Sequence, residues 1–216
     1  MDITWMGRRC FSIRGKDVTI LTDPYGNVVA RLGKGPKVRA VTCSLEEMDC
    51  SLPPDEDKTR RVIRGPGEYE TAEVQITGVG TVHGSQDPEA GEVAGGRNTV
   101  YSIEMEGIVM CHLGDLQQAL TSEQVERLGN VSILMVPVGS LSSLKASTDT
   151  IGLMEPRLVV PMDYEAAIIE NRDPSQPIMR FLKEMGAQDS EPQRRLHVTP
   201  STLPQETQVA ILEIAD

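Results

Sequence analysis

Short apolar runs, broken every few residues by Gly, Pro or charge, dominate the first half of the chain. "DITWM", "CFSIRG", "DVTILTD", "VRAVTCS", "EVQITGVGTV", "TVYSIEMEG" and "IVMCHLGD" each carry apolar or β-branched residues over the length of a strand, so this half predicts a series of strands. After residue 120 the pattern changes to alternation. "TSEQVERLG" pairs Thr121 with Gln124 as a capping box and stops at Gly129, "VSILMVPVG" is an apolar strand, "SSLKASTDTIGLMEP" has helical spacing, and "RLVVPM" is again a strand. A further helix fits "QPIMRFLKEMG", and "TQVAILEIAD" predicts a closing strand. Strands first and strand–helix alternation later predict a layered α/β protein whose helices cover sheet faces. The stretch 84–97, "GSQDPEAGEVAGGR", is polar and Gly-rich, and exceeds the roughly 4 to 6 residues usual for a connection in a compact domain. Its composition is that of a lid or an unstructured loop.

Composition narrows the function classes. At 216 residues and 39% hydrophobic the chain suffices for one full core, and a single domain over 1–216 is the expectation. With 32 acidic against 21 basic residues the net charge is -11, which repels phosphate backbones and anionic lipid, and only 3% of residues are aromatic and able to stack on bases. Neither nucleic acid nor a membrane surface is expected as a partner. The start of the chain lacks the basic, apolar and small-residue order of a signal peptide, and no apolar run approaches the roughly 20 residues needed to span a bilayer. A cytoplasmic location follows as an expectation. Cys10, Cys43, Cys50 and Cys111 are too widely spaced for a zinc ribbon and too few for a disulfide scaffold, so buried reduced thiols are expected for at least three of them.

Several candidate residues stand at the ends of apolar strands. Asp23 closes "ILTDP", Asp115 follows "CHLG", Asp163 closes "VVPMDY", and His83 follows "ITGVGTV". A lone Asp in such a place is more often a turn or cap residue, but strand ends also line clefts in α/β proteins, and the recurrence argues for a shared cleft. "GVGTVHG" offers three glycines but opens a polar loop instead of a helix, so it is not a dinucleotide loop. The loop "SLEEMDCS", 44–51, resembles no tidy turn; Ser44 and Glu47 spell a capping box, which would start a short helix there.

Together "ITWMGRRCFSIRGKDVTILTDPYG", "VIRGPGEYE", "GGRNTVYSIEMEGIVMCHLGDL" and "VSILMVPVG…EPRLVVPMDY" resemble the metallo-β-lactamase superfamily, in particular its small bacterial metal-dependent hydrolase branch related to the ascorbate-phosphate lactonases. The resemblance runs in order from about residue 2 to 165. It implies a four-layer αββα sandwich whose two sheets present an edge cleft for one or two metal ions. Such proteins carry a His-x-His-x-Asp-His loop after the strand equivalent to "VRAVTCS". Aligned on Ser44 and Asp49, this chain has Leu45, Glu47 and Cys50 at the three histidine positions and keeps Asp49. His83 then matches the next histidine ligand, Asp115 the bridging aspartate, Asp163 a further histidine ligand, and Asp23 an aspartate that orients the ligand shell.

Chemistry weighs against a working centre on that alignment. Leucine has no lone pair, so a first site of Leu45, Glu47 and His83 falls short of the three protein ligands of a catalytic zinc. The second, Asp49, Cys50, Asp115 and Asp163, mixes three hard carboxylates with one soft thiolate, and four anionic ligands blunt a metal's effect on bound water. The expectation is therefore an eroded centre, a pseudoenzyme with no cofactor that acts as a binding or assembly module. The alternative is a hydrolase of a small ester, lactone or phosphorylated compound using one divalent ion (Zn, Mn or Mg). Without a cation the converging carboxylates of Asp49, Asp115 and Asp163 need compensation from a proton, a water network or a basic side chain such as Arg8 or Arg9. His112 has no ligand role in the motif and is expected as an ordinary hydrogen-bonded histidine. A symmetric homo-oligomer is the base-rate expectation, and no residue names the small-molecule ligand.

Overall fold

The computed structural model describes residues 1–26, 28, 37–50, 52, 59–82, 96–165, 169 and 173–215. Among them, β1 (Asp2–Gly7), β2 (Cys10–Arg14), β3 (Thr19–Thr22), β4 (Val38–Cys43), β5 (Arg61–Arg64) and β12 (Leu196–His197) make one sheet in the order β12-β1-β2-β3-β4-β5. The strands β6 (Gly67–Thr71), β7 (Val74–Val82), β8 (Arg97–Met105), β9 (Ile108–His112), β10 (Ile133–Pro137), β11 (Leu158–Met162) and β13 (Gln208–Val209) make the other, in the order β13-β11-β10-β9-β8-β7-β6. Both sheets are mixed. Hairpins build the antiparallel halves, and the β3–β4, β4–β5, β9–β10 and β10–β11 pairs are parallel. The α/β sandwich expected from the sequence is the architecture found.

Packing follows the apolar pattern. Ile3, Trp5, Phe11, Ile13 and Ile20 of the first sheet and Ile76, Tyr101, Ile103 and Met110 of the second are buried in one continuous core. Every residue of β10 and β11 is buried, as expected where a sheet is covered on both faces. The helices α1 (Ser122–Leu128), α2 (Leu141–Met154) and α3 (Pro177–Glu184) supply that cover, α1 against β7, α2 against β10 and α3 against α2. Among the described residues no helix is long and apolar enough to cross a membrane.

The helix ends obey their sequence signals. Thr121 Oγ1 accepts from the Gln124 amide and Gln124 Oε1 accepts from the Thr121 amide, so the capping box is formed, and Gly129 closes α1 with φ +80°. Ser140 and Ser143 make the same reciprocal pair at the start of α2. Pro177 opens α3, where the missing amide hydrogen costs nothing.

Three elements differ from expectation. Among the described residues, the expected closing strand at 207–216 forms only the two-residue β13 and single bridges from Leu212 to Gln193 and from Ile214 to Trp5, because the exposed and buried residues of 207–215 do not keep a period of two against one partner. Strands β5 and β6 were not expected, since Arg61, Val62 and Arg64 are exposed and only Ile63 is buried, the profile of an edge strand. The lid-like stretch 84–97 lies outside the described residues as far as 95, and β8 begins at Arg97. We expect Thr121→Ala to lower stability by about 1 kcal/mol, because it removes the cap acceptor while leaving the core untouched. Urea denaturation that found no change would show the cap to be energetically idle.

Candidate functional site

The cleft is built on the β1–β2 turn. Gly7 takes φ +97° and Arg8 φ +51°, and a side chain at Gly7 would run into the Tyr25 hydroxyl, which itself donates to the Met6 carbonyl at 3.0 Å. Two successive turn carbonyls are then each held twice. Arg8 O accepts from Trp5 Nε1 at 2.8 Å and from the Asp163 amide at 3.0 Å. Arg9 O accepts from Thr22 Oγ1 at 3.0 Å and pairs with His112 Nε2 at 2.8 Å. With its backbone fixed, the Arg9 side chain extends across the strand ends.

Three carboxylates meet it there. Arg9 NH1 donates to Asp163 Oδ2 at 3.1 Å and lies 3.5 Å from Asp115 Oδ2, while Arg9 Nε lies 3.6 Å from Asp23 Oδ2. The guanidinium is 14% exposed and the three carboxylates are 0%, 16% and 30% exposed for Asp23, Asp115 and Asp163, so the ion pairs are screened far less than on an open surface. Arg9 Nε is buried without a hydrogen bond, which makes its link to Asp23 purely electrostatic. Arg9 is thus the basic side chain that the carboxylates required, and Arg8 instead places its guanidinium over the Tyr25 ring.

Each aspartate is positioned by its own strand end. Asp23, at φ +39° after β3, is buried; it donates its amide to Thr42 O, accepts from the Ser44 amide at 2.7 Å on Oδ1, and accepts from Ser44 Oγ on Oδ2. Asp115 follows β9 and Gly114, whose φ of +62° and close approach to Asn98 and Ser44 leave no room for a side chain. Its amide donates to Asn98 Oδ1 at 2.9 Å and its Oδ1 accepts from Gln117 Nε2 at 2.7 Å. Asp163, at φ +62°, ends β11 against Gly139, where a Cβ would collide with the Asp163 carbonyl. Aspartate tolerates these left-handed positions better than most residues.

The loop after β4 takes another course than its motif suggested. Ser44 gives its amide to Asp23, so Glu47 does not close a capping box on it; residues 45–48 form a turn with the Met48 amide on the Leu45 carbonyl, and no helix starts. Leu45 pairs by backbone bridge with Asn98, and the Thr99 amide donates to Ser44 O at 2.7 Å, which ties the two sheets together. Glu47 and Asp49 are exposed, so Asp49, expected to converge with Asp115 and Asp163, stands at an exposed position of this loop and Asp23 is the third carboxylate on Arg9 instead. Cys43 and Cys50 are joined by a disulfide with Cα atoms 6.3 Å apart, against the expectation of at least three reduced thiols, and Cys10 and Cys111 are the free, buried pair. The thiolate weighed as a metal ligand at Cys50 is therefore absent, because its sulfur is already bonded. His83 lies outside the described residues. Among those described, no group of three or more His, Cys, Asp and Glu gathers in an arrangement able to hold a metal ion.

Asn98 and the turn carbonyls at Arg8 and Arg9 were not singled out by sequence reading, and Ser44 was read only as a cap residue and alignment anchor. Asn98 is the second residue of β8, where one buried polar side chain carries no periodic signal. His112 behaves as the ordinary histidine expected: burial is the main cause of a pKa below the usual imidazole value, opposed by Asp23 and by the Arg9 carbonyl. With Nε2 on a carbonyl and Nδ1 buried without a partner, the neutral ring fits and a second proton does not.

Two mixed sheets face to face, helices on the second, and carboxylates gathered at strand ends define a metallo-β-lactamase-type α/β sandwich. The chain belongs to the beta-lactamase superfamily domain family, which matches residues 2–163. A UPF0173 protein of Pyrococcus abyssi is 26% identical over 192 residues, covering 76% of this chain and 83% of its own length. A UPF0173 metal-dependent hydrolase of Archaeoglobus fulgidus is 21% identical over 204 residues, with 81% and 87% covered. A solved structure of a metallo-β-lactamase superfamily protein from Thermotoga maritima is 30% identical and superposes with a TM-score of 0.72 over 98% of this chain and 97% of its own.

Two outcomes follow from this geometry. His112 binds its proton less readily in the fold than in the unfolded chain, so the unfolded chain takes up more protons as pH falls through about 6.5, and stability drops in that direction by no more than about 1.4 kcal/mol per pH unit. Urea titrations between pH 7.5 and 5.5 should show this slope in the wild type and a flatter one in His112→Gln; equal slopes would remove His112 as the cause. Denatured without reductant, the protein should release two alkylatable thiols, and with reductant four. Four in both conditions would mean that Cys43 and Cys50 are reduced in solution.

Proposed function

We propose that this protein keeps the metallo-β-lactamase scaffold without its metal chemistry and works as a binding or assembly module. The observation that carries the reading is the Arg9 guanidinium paired with Asp23, Asp115 and Asp163, a covalently attached cation among carboxylates of which Asp115 and Asp163 align with metal ligands of the superfamily. Guanidinium stays protonated at every physiological pH and offers five donors but no acceptor, so it neutralises the carboxylates without activating a water for attack. The remaining donors fit an ion poorly. Leu45 has no lone pair and is engaged in a backbone bridge, Glu47 stands on an exposed turn, and Cys50 has spent its sulfur on Cys43.

One observation favours a second reading. The Archaeoglobus relative is named a metal-dependent hydrolase, and by that analogy a single ion held through Asp49, Asp115 and Asp163 would act on a small ester, lactone or phosphorylated compound. Metal analysis separates the two. Protein purified without chelator should carry well under one zinc per chain, and its melting temperature should not rise on adding zinc or manganese. Arg9→Met should cost on the order of 3 kcal/mol, because it leaves partly buried carboxylates facing one another. Stoichiometric zinc, or an Arg9→Met variant as stable as the wild type, would sink the first reading.

A further inference from the structure

A second cavity lies beside the carboxylate cluster, on the flank where the β7–β8 ladder ends under the start of α1. It measures about 470 Å³, within the range of small-molecule sites. Its walls are the last residues of β7, the first of β8, Pro66, Gln118 and Ala119, and the Thr121–Gln124 cap of α1. Gly80 keeps it open, since a Cβ there would come within 3.1 Å of Pro66 Cγ.

Most of the polar lining is already satisfied internally. Thr81 Oγ1 accepts from Asn98 Nδ2 at 2.8 Å and lies 3.3 Å from Asn98 O, and Asn98 Nδ2 also donates to Leu113 O at 3.0 Å. Thr121 and Gln124 cap each other, and Gln124 Nε2 donates to Gly80 O at 2.9 Å. Arg97 stands opposite Val82 at the end of the ladder, and it is the one charged residue among those described that line the cavity. Among the described residues no carboxylate lines it. A cavity whose neutral polar groups are mostly paired, whose apolar lining includes Pro66, Val82 and Ala119, and whose single charge among the described residues is a guanidinium suits an apolar body with one negative group.

We infer that this cavity binds a small amphipathic monoanion, an organic carboxylate or sulfonate, with its charge on Arg97 and its apolar part against Pro66, Val82 and Ala119. This gives the proposed binding role a ligand class, and it needs no metal. The test is a fluorescence titration of the full chain in EDTA with 2-naphthoate and its neutral analogue 2-naphthamide. Naphthoate should saturate and bind at least tenfold more tightly than the amide. Arg97→Gln should abolish that preference, Arg97→Lys should keep most of it, and Ala119→Trp, which fills the cavity from an exposed loop position, should weaken both probes. Equal affinity for the two probes in the wild type, naphthoate binding unchanged in Arg97→Gln, or full binding in Ala119→Trp would each overturn the inference. So would naphthoate binding that appears only when zinc replaces EDTA. The metal-free reading is judged apart from this, on zinc content and on the stability of Arg9→Met.

Discussion

Everything in the cleft is arranged around one electrostatic constraint: three carboxylates at the ends of β3, β9 and β11 point to a common region and must be matched by positive charge. Arg9 meets that demand, and it can do so because its backbone is not free to move. The two turn carbonyls at Arg8 and Arg9 are anchored by Trp5, Asp163, Thr22 and His112, which come from β1, the end of β11, β3 and β9. A side chain as long as arginine loses much rotamer freedom when held in one geometry. Fixing the turn by four bonds confines that loss to the side chain. The turn therefore links both sheets at the cleft, and the charge cluster and the β-sandwich stabilise each other.

The same economy appears where the sheets join. Ser44 donates to Asp23 with both its amide and its hydroxyl, while its carbonyl accepts from the Thr99 amide of β8. Tyr101, buried on β8, sends its hydroxyl to the Cys43 carbonyl at 3.1 Å, and burial raises the pKa of that hydroxyl well above its ordinary value, so it remains a donor. Asn98 holds the Asp115 amide with its oxygen and Thr81 and Leu113 with its nitrogen. These are buried polar groups with partners, and removing any one leaves others unsatisfied at a cost of roughly 1–3 kcal/mol. The backbone of 43–45 is thus committed to holding the sandwich closed, which explains why Leu45 can take a position where a ligating side chain was expected.

The fold was legible because apolar runs, Gly and Pro punctuation and capping pairs such as Thr121–Gln124 all act locally and agree with the final packing. Strands β5 and β6 escaped because an edge strand like 61–64 buries one residue and exposes arginines, so its pattern resembles a loop. The strand ends at Asp23, Asp115 and Asp163 were readable as a shared cleft, but the carboxylates expected to converge were Asp49, Asp115 and Asp163, with Arg8 or Arg9 named through the resemblance; Asp49 is exposed on its loop, and Asp23 is the third partner of Arg9. The choice between those two arginines was not readable, since it depends on which side of a left-handed turn each side chain leaves. The loop 44–50 misled for a related reason. Its Ser44–Glu47 pair is a genuine local signal, but Asp23 competes for the same amide from 21 residues away, and a buried carboxylate wins over an exposed glutamate because its hydrogen bonds replace solvation it has lost. Pairing of Cys43 with Cys50 likewise depends on how the loop doubles back, which spacing alone does not encode.

A cleft neutralised by an arginine differs from one neutralised by an ion in how its charge is supplied. A bound metal stabilises the fold only in proportion to its free concentration over its dissociation constant, so a metal-loaded cleft changes state with supply. Arg9 is part of the chain, and its contribution is constant. It also brings one positive charge to three carboxylates, leaving the cluster net negative and inhospitable to anions. In the neighbouring cavity Arg97 is the only charged lining residue among those described. The two regions share Asn98, whose side-chain oxygen accepts from the Asp115 amide and which also lines the cavity. On the proposed reading, an anion in that cavity is attracted by Arg97 and repelled by the carboxylate cluster on the other side of Asn98, so its binding rests on direct contact with the guanidinium and not on the field of this face.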